Sequence, residues 1–288
     1  MKVLVLGGGG QVASAVVTAA PASHQVVVRT RAELDIGDAK AVARALTETA
    51  AEWLVNAAAY TAVDLAEDQP SQAMAVNDTA VGVLAAAAST AGCRLLHLST
   101  DFVFDGQSNR AYRPDDPTNP LSVYGLSKLG GERQVLNGPG SGIVLRTAWV
   151  YAATGRNFVL TMLRLMRDKE RVSVVCDQIG TPTWAAGIAA AIWGLIEAGA
   201  AGGVYHWTDL GVASWYDFAV AIQDEALARG LLRRAVPVIP IPSAGYPTRA
   251  RRPAFSVLDT ESTRALIKVP ARHWRHNLRA MLDDLRTP

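Results

Sequence analysis

The chain has 288 residues, 50% of them hydrophobic, which is long enough to bury a sizeable core in one large domain or two smaller ones. Its 28 basic and 26 acidic residues are dispersed and leave a net charge of +2, which argues against nucleic acid or an anionic membrane as partner and favours a small molecule. Two cysteines in apolar runs, no charged leader and no apolar run of ~18 residues predict a cytoplasmic protein without disulfides or membrane spans.

Short apolar runs alternate with longer helical patterns through the first half of the chain. They predict strands at 2–6, 25–28, 53–56, 93–99 and 142–147, and helices at 11–20, 38–50, 71–91 and 124–136. Strict alternation of strand and helix is typical of right-handed βαβ units. The predicted fold class is therefore α/β, a doubly wound parallel sheet of the Rossmann type, which binds ligands outside the carboxyl ends of its strands.

The alternation loosens after residue 148. Helical patterns near 157–168, 184–198 and 214–229 and a proline-rich run at 236–247 indicate a smaller lobe that completes a substrate cleft. We therefore predict a dinucleotide-binding domain at 1–148 and a mainly substrate-binding domain at 149–288. Segments near 170–182 and 202–208 are expected to return to the Rossmann sheet.

A glycine cluster follows the first strand and opens the first helix. Gly7, Gly10 and Ala13 fit the spacing of a dinucleotide-binding turn, in which the first glycine permits the bend, the second admits a pyrophosphate and the third small residue packs helix on strand. Gln11 and Val12, at the start of the helix, would then face the phosphates. A purely structural turn has the same glycines, and the βαβ context is what favours the binding interpretation.

The end of the second strand bears on the choice of cofactor. A carboxylate that would bind the adenosine ribose is missing there, and Thr30 lies between Arg29 and Arg31 instead. Arginine suits a 2'-phosphate, so we predict NADPH as cofactor, with NADH accepted less well. Asp35 and Ile36, just beyond, are predicted to line the adenine.

Tyr124 and Lys128 are four residues apart on a predicted helix and therefore share one face. A neighbouring ammonium lowers the pKa of a phenol, which suggests a proton donor tuned by the lysine. The same spacing also fits an amphipathic tyrosine beside a solvated lysine. Thr100, at the carboxyl end of the fourth strand, favours the catalytic interpretation because a Rossmann sheet places its chemistry at that edge.

Several segments together resemble the extended short-chain dehydrogenase/reductases over nearly the whole chain. They are the glycine turn, NAAAYTAVDLAE (56–67), STDFVFDG (99–106), YGLSK (124–128), LRTAWVY (145–151), DQIGTPT (177–183) and RRPAFS (251–256). The resemblance is closest to members that reduce the 4-keto group of dTDP-4-dehydro-6-deoxy-L-mannose, a dTDP-4-keto-6-deoxysugar, to dTDP-L-rhamnose for polysaccharide biosynthesis.

The resemblance also assigns roles to individual residues. It implies a catalytic triad of Thr100, Tyr124 and Lys128, with Tyr124 and Lys128 also touching the cofactor. Ala57, Ala58 and Thr61 match positions that line the nicotinamide nucleotide. The sugar nucleotide would be bound by Asp101, Phe102, Trp149 and Arg252, although Phe102 replaces the usual tyrosine. The basic run around Arg252 fits a solvated loop equally well.

Other functions remain open on the sequence alone. A 4,6-dehydratase needs an added acid at position 102, an epimerase would hold NAD tightly, and a non-catalytic NADP-binding regulatory subunit has the same scaffold. A reductase of another 4-keto-6-deoxysugar nucleotide is also compatible. Some relatives dimerise around a magnesium ion held by glutamates, but Ala186 occupies one such position, so we expect no metal and either a monomer or a homodimer.

Overall fold

A computed structural model describes residues 1–140 and 142–285. The strands in these residues are β1 (Lys2–Leu6), β2 (Gln25–Arg29), β3 (Trp53–Asn56), β4 (Arg94–Thr100), β5 (Ile143–Thr147), β6 (Val150–Tyr151), β7 (Val172–Val175), β8 (Ile179–Gly180), β9 (Thr183–Trp184), β10 (Gly203–His206), β11 (Ala213–Ser214) and β12 (Val238–Ile241). The α-helices are α1 (Gln11–Thr18), α2 (Ala39–Thr49), α3 (Val63–Asp68), α4 (Pro70–Met74), α5 (Ala80–Thr90), α6 (Val123–Leu136), α7 (Phe158–Asp168), α8 (Ala185–Glu197), α9 (Trp215–Ala228), α10 (Glu261–Ile267) and α11 (Trp274–Asp284). A π-helical turn, Ala75–Thr79, links α4 to α5.

Six strands form one parallel sheet in the order β10-β5-β4-β3-β1-β2. This confirms the predicted doubly wound α/β fold. The carboxyl ends of β1, β3 and β4 meet at the same edge, because all neighbours run in parallel. Within the segment 202–208, which was expected to return to the sheet, β10 pairs with β5 at the sheet edge.

The sheet is buried on both faces, which explains why its strands are continuous apolar runs rather than alternating ones. Along β1, Val3 and Val5 pack in a cluster with α1 and α8, whereas Leu4 and Leu6 pack in a second cluster with α2 and α5. Alternate residues of one strand thus supply opposite layers of the core. Among the described residues, no helix combines the length and the apolar character that a bilayer span requires.

A third apolar cluster holds the C-terminal lobe together, built mainly from α7, α9, α11 and β7. The expectation that residues 170–182 rejoin the Rossmann sheet is wrong. Instead β7 pairs with β12 and β8 pairs with β11 in separate two-stranded sheets. Only three residues separate α7 from β7, and buried Val172 and Val174 keep that strand against the lobe. The division at residue 148 stays a prediction.

Helix α6 packs closely against its neighbours at two of its glycines, where any side chain would collide with a backbone carbonyl of another element. A Cβ atom on Gly125 would lie 2.3 Å from the Phe102 carbonyl oxygen, and one on Gly131 would lie 2.2 Å from the Asn77 carbonyl oxygen. The Ser122 hydroxyl accepts a hydrogen bond from the Gly125 N–H and caps the helix after the proline-containing loop. The first turn of α6 is thereby fixed against the residues that follow β4, and its third turn against the π-helical turn.

Candidate active site

The glycine turn after β1 permits a close approach of backbone to backbone. Gly7 has a φ of +92°, and a Cβ atom there would lie 2.7 Å from backbone atoms of Ala57 and Ala58. Helix α1 begins after Gly10 with no side-chain cap and no acidic residue in its first turn. Its first N–H groups can therefore serve a phosphate, and these residues fit a dinucleotide pyrophosphate.

Gln11 connects the glycine turn to the C-terminal lobe. The Asn157 amide, which also caps α7, donates to the Gln11 side-chain oxygen over 3.0 Å, and Gln11 donates to the Arg156 carbonyl over 3.4 Å. Val12 packs in the same apolar cluster as Ala57. Six predicted cofactor residues thus lie around one turn, namely Gly7, Gly10, Gln11, Val12, Ala57 and Ala58. Their contacts with the cofactor stay predictions.

The end of β2 differs from its predicted chemistry. We expected no carboxylate beside Thr30, but the Glu33 carboxylate accepts hydrogen bonds from both the N–H and the hydroxyl of Thr30, each over 2.8 Å. These bonds, backbone first, lower the pKa of Glu33, and Arg29 adds to the effect. The expectation that no carboxylate lies beside Thr30 was wrong, because Glu33 folds back from three residues further along the chain.

The remaining residues of this segment lie at the end of β2 and just beyond it. Arg29 is partly buried and donates to the Val28 carbonyl over 3.2 Å, whereas Arg31 is exposed. The Asp35 side chain accepts from the Gly37 N–H, and Ile36 is buried. Both arginines remain candidates for a ribose phosphate, in competition with the nearby Glu33 charge.

Thr100 and Tyr124 come together at the carboxyl end of β4. The Thr100 hydroxyl donates to Asp101 Oδ1 over 3.0 Å and accepts from the Phe102 N–H over 3.2 Å. It also lies close enough to the Tyr124 phenol to lower the pKa of that group. Phe102 meets the Tyr124 ring edge-on, with the ring centroids 5.5 Å apart. The predicted threonine and tyrosine therefore form one site.

Lys128 extends from α6 to the buried strand β4. Its ammonium nitrogen lies 2.7 Å from the Leu98 carbonyl and 3.2 Å from His97 Nε2, in a fully buried position. Burial raises the pKa of Tyr124 to about 12, and among charged groups it is Asp101 that acts on the phenol, raising its pKa further. The lowering of the phenol pKa by Lys128 stays a prediction.

Asp101 is a buried carboxyl group at the same edge. It is 2% exposed, and burial raises its pKa to about 6 against the opposing effect of the Ser256 and Thr100 hydroxyls. Its second oxygen, Oδ2, makes no hydrogen bond within the described residues. Asp101 is thus a buried carboxyl group beside Thr100, and its contact with the sugar stays a prediction.

Trp149 follows β5 with a φ of +47°, a strained conformation for a residue with a side chain. Trp215 stacks on its indole with a centroid separation of 3.5 Å and an interplanar angle of 5°. Gly180 leaves room for the ring, since a Cβ atom there would lie 2.5 Å from Trp149 Cε2. Trp149 is thus held by its neighbours, and strain of this kind is typical of functional positions.

The basic run near residue 250 is tied to the acidic helix α3. Arg252 forms a bidentate pair with Asp64, whose nearer contact is 2.7 Å, and Arg249 pairs with Asp68. The guanidinium of Arg252 lowers the pKa of Asp64. The structure therefore neutralises much of this run, and a contact of Arg252 with a diphosphate stays a prediction.

Thr61, which was predicted to line the nicotinamide nucleotide, is exposed just before α3.

The sequence did not predict two polar features near the site, the buried Asn77 side chain and the ion pair of Glu132 with Arg146. The single helix expected at 71–91 contains the π-helical turn, which directs the buried Asn77 side chain to the Tyr60 backbone and to Ser127 on α6. Beneath Thr100, Glu132 and Arg146 form a buried bidentate ion pair. In the sequence only Arg146, which lies in an apolar run, signals such a pair.

Clusters of three or more His, Cys, Asp or Glu side chains able to hold a metal ion do not occur among residues 1–140 and 142–285. Ala186 lies in the first turn of α8.

The parallel sheet, the glycine turn and the Thr100, Tyr124 and Lys128 positions define an extended short-chain dehydrogenase/reductase. The family model described as RmlD substrate binding domain matches residues 1–287, and the chain belongs to that family. The dTDP-4-dehydrorhamnose reductase of Burkholderia thailandensis is 43% identical over 295 residues, covering 99% of each chain.

Solved structures agree with this assignment. A dTDP-4-dehydrorhamnose reductase from Clostridium acetobutylicum superimposes with a TM-score of 0.93 at 34% identity, covering 100% of each chain. A dTDP-4-dehydrorhamnose reductase from Bacillus anthracis in complex with NADP has a TM-score of 0.93 at 30% identity, covering 98% of this chain and 99% of its own. The similarity thus extends over both the sheet and the lobe.

Proposed function

We propose that this chain reduces the 4-keto group of dTDP-4-dehydro-6-deoxy-L-mannose to give dTDP-L-rhamnose, with NADPH as the reductant. The observation that carries the proposal is the Thr100 hydroxyl beside the Tyr124 phenol, at the same sheet edge as the glycine turn. The names of the relatives support the substrate, and the NADP bound to the Bacillus anthracis enzyme supports the cofactor.

Bound along the glycine turn, NADPH supplies a hydride to carbon 4 of the sugar. Tyr124 donates its phenolic proton to the oxygen that becomes the new hydroxyl, and Thr100 holds that oxygen by a hydrogen bond. The raised pKa of Tyr124, about 12, keeps the phenol protonated at neutral pH and therefore able to donate.

Turnover with the named substrate tests this function. Purified protein is mixed with NADPH and dTDP-4-dehydrorhamnose, the loss of NADPH absorbance is followed, and the product is compared with authentic dTDP-L-rhamnose. A panel of other 4-keto-6-deoxysugar nucleotides measures how strictly the sugar is chosen. Binding of NADPH without any oxidation across the panel would instead identify a non-catalytic subunit.

Trp149→Ala should raise the KM for the sugar nucleotide about tenfold while leaving NADPH affinity unchanged, because the indole lies at the lobe side of the cleft. Steady-state kinetics with each substrate varied in turn measures both effects. Trp215→Phe, which keeps an aromatic ring against Trp149, is the matched control and should have a much smaller effect. Equal losses in both affinities would place Trp149 outside the sugar site.

Glu33→Gln should increase the preference for NADPH over NADH by about three- to tenfold, since a negative charge beside Thr30 repels a 2'-phosphate. Thr30→Asp adds a second carboxylate there and should shift the preference toward NADH. The ratio of kcat/KM for the two cofactors measures the change. Glu48→Gln, an exposed charge on α2, is the control. An unchanged ratio in Glu33→Gln would mean that the ribose binds away from Thr30.

A further inference from the structure

A series of side-chain contacts leads from the glycine turn to Trp149 by way of the start of α7. The side-chain oxygen of Gln11, the first residue of α1, lies 3.0 Å from Asn157 Nδ2. Phe158, the first residue of α7, packs on Trp215 with the ring centroids 4.7 Å apart. Trp215 in turn stacks on Trp149 at 3.5 Å. These contacts join a residue of the cofactor turn to a residue predicted to bind the sugar.

Backbone groups fix the direction of both side-chain amides in this series. The Leu160 N–H, which can only donate, lies 3.1 Å from Asn157 Oδ1, so the nitrogen of that amide faces Gln11. The Arg156 carbonyl, which can only accept, lies 3.4 Å from Gln11 Nε2, so the Gln11 oxygen faces Asn157. Gln11 therefore needs one donor and one acceptor at the end of its side chain, and an amide supplies both.

The loop between β6 and α7 is shaped around this contact. The Asn157 amide also donates to the Ala152 carbonyl over 2.8 Å, which closes the loop on itself. Gly155 has a φ of +79°, and a Cβ atom there would lie 3.1 Å from Gln11 Cγ. The loop thus follows the Gln11 side chain closely, and it begins after β6, the strand that directly follows Trp149.

Trp149 depends on the support of its neighbours because its backbone is strained. A φ of +47° is unfavourable for a residue with a side chain and persists only where the surroundings hold it. Gly180 leaves room for the indole on one side, and Trp215 covers the ring with an interplanar angle of 5°. A displacement of Phe158 would move Trp215, and Trp149 would move with it because the two rings are in contact.

We propose that Gln11 is a positioning residue that holds the start of α7, and through Phe158 and Trp215 the Trp149 indole, at a fixed place relative to the glycine turn. The consequence for catalysis rests on the proposed function. A change of the Gln11 side chain, although it lies in the cofactor turn, weakens binding of the sugar nucleotide more than binding of NADPH. The groups of this turn that suit a phosphate are backbone N–H groups, which the side chain does not supply.

The place of Trp149 is tested on the unliganded protein, so that the result does not depend on the proposed function. The chain has seven tryptophans, and labelling with fluorotryptophan gives a simple ¹⁹F NMR spectrum in which Trp149→Phe and Trp215→Phe identify the stacked rings. Gln11→Met, which keeps the length of the side chain and removes both hydrogen bonds, should shift or broaden both signals. Trp53, at the start of β3, should keep its signal. Unchanged signals of Trp149 and Trp215 would overturn the proposal.

Phe158→Leu tests the path of contacts. This change removes the ring that packs on Trp215 and leaves the contact between Asn157 and Gln11 in place. It should move the same two ¹⁹F signals, and adding Gln11→Met should then cause little further change, since both substitutions act along one path. Fully additive changes would show that Gln11 does not act through Phe158 and would refute the proposed path.

Kinetics and NADPH binding measure the consequence for the reaction. Gln11→Met should raise the KM for dTDP-4-dehydrorhamnose about three- to tenfold and change the dissociation constant of NADPH by less than about twofold. A loss of NADPH affinity alone would show that Gln11 serves only the cofactor and would overturn the proposal. If the wild-type protein does not turn over this substrate, the proposed function fails, and the ¹⁹F signals still decide whether Gln11 positions Trp149.

Gln223→Met is the matched control for general loosening of the lobe. The Gln223 side-chain oxygen accepts a hydrogen bond from the Val236 N–H over 2.9 Å, and Gln223 lies on α9, the helix that begins with Trp215. This variant should leave the Trp149 signal and the KM for the sugar nucleotide unchanged. Equal changes in Gln223→Met and Gln11→Met would show that any lost hydrogen bond of the lobe disturbs the stacked rings, and would refute a specific role of Gln11.

Discussion

Replacing Tyr124 with phenylalanine should lower the turnover number by about two to four orders of magnitude while leaving folding and NADPH affinity near wild type. The change deletes one oxygen and keeps the ring that packs edge-on against Phe102. Thr100 and Lys128 retain their contacts with Asp101 and Leu98. Turnover, NADPH binding and the unfolding midpoint are measured on the same preparation, so that a loss of chemistry is separated from a loss of structure.

Tyr246→Phe provides the control, because it makes the same chemical change at a tyrosine that is 59% exposed. The pH profile gives a further test. The protonated phenol is the active form, so the activity that depends on it should persist through neutral pH and disappear as the pH rises through about 12. Near-wild-type turnover in Tyr124→Phe would assign proton donation to another group.

The strands and the glycine turn could be predicted because their causes are local. A strand such as β1 that is buried on both faces must be apolar along its length, and Gly7 must tolerate a positive φ. The meeting of Thr100 and Tyr124 followed from topology, because parallel strands place their carboxyl ends at one edge. Each of these features depends on a periodicity or a spacing that is visible in the chain.

What the sequence did not predict depends on side chains that are distant or free to rotate. The absence of an acid at position 30 suggested an open phosphate site, but Glu33 reaches the same place by turning back. The spacing of Tyr124 and Lys128 placed both on one face of α6, yet Lys128 extends beneath the sheet edge to Leu98 and His97. Helical spacing fixes where a side chain begins, whereas burial and hydrogen bonds decide where its charged end lies.

The segment at 170–182 illustrates a third limit. A short apolar strand after a helix has the same pattern whether it joins the main sheet or a lobe, and here β7 pairs with β12 while Val172 and Val174 pack in the lobe. The partner strand β12 lies within the proline-rich run at 236–247, where strand formation is disfavoured by composition. Pairing partners of this kind are set by tertiary packing rather than by local propensity.

Glu132→Gln should lower the free energy of unfolding by about 3–5 kcal/mol, because it leaves the Arg146 guanidinium buried without its counter-charge. Glu132 and Arg146 are 1% and 3% exposed, and two contacts of 2.7 and 2.8 Å join them. Arg146 keeps contacts with the Pro114 carbonyl, His206 and the Phe104 ring, none of which is negatively charged. Denaturant unfolding of both proteins measures the difference.

The paired variant Glu132→Leu with Arg146→Met separates the charge from the packing. Removing both charges should cost less than the sum of the two single changes, since neither partner is then left buried and unpaired. Glu170→Gln breaks the exposed pair with Arg234 and should change stability by at most about 1 kcal/mol. A similarly small effect of Glu132→Gln would show that the neutral contacts of Arg146 suffice.

The Ser99 hydroxyl donates to Glu132 over 2.5 Å next to Thr100, so we also expect Glu132→Gln to reduce turnover in the protein that remains folded.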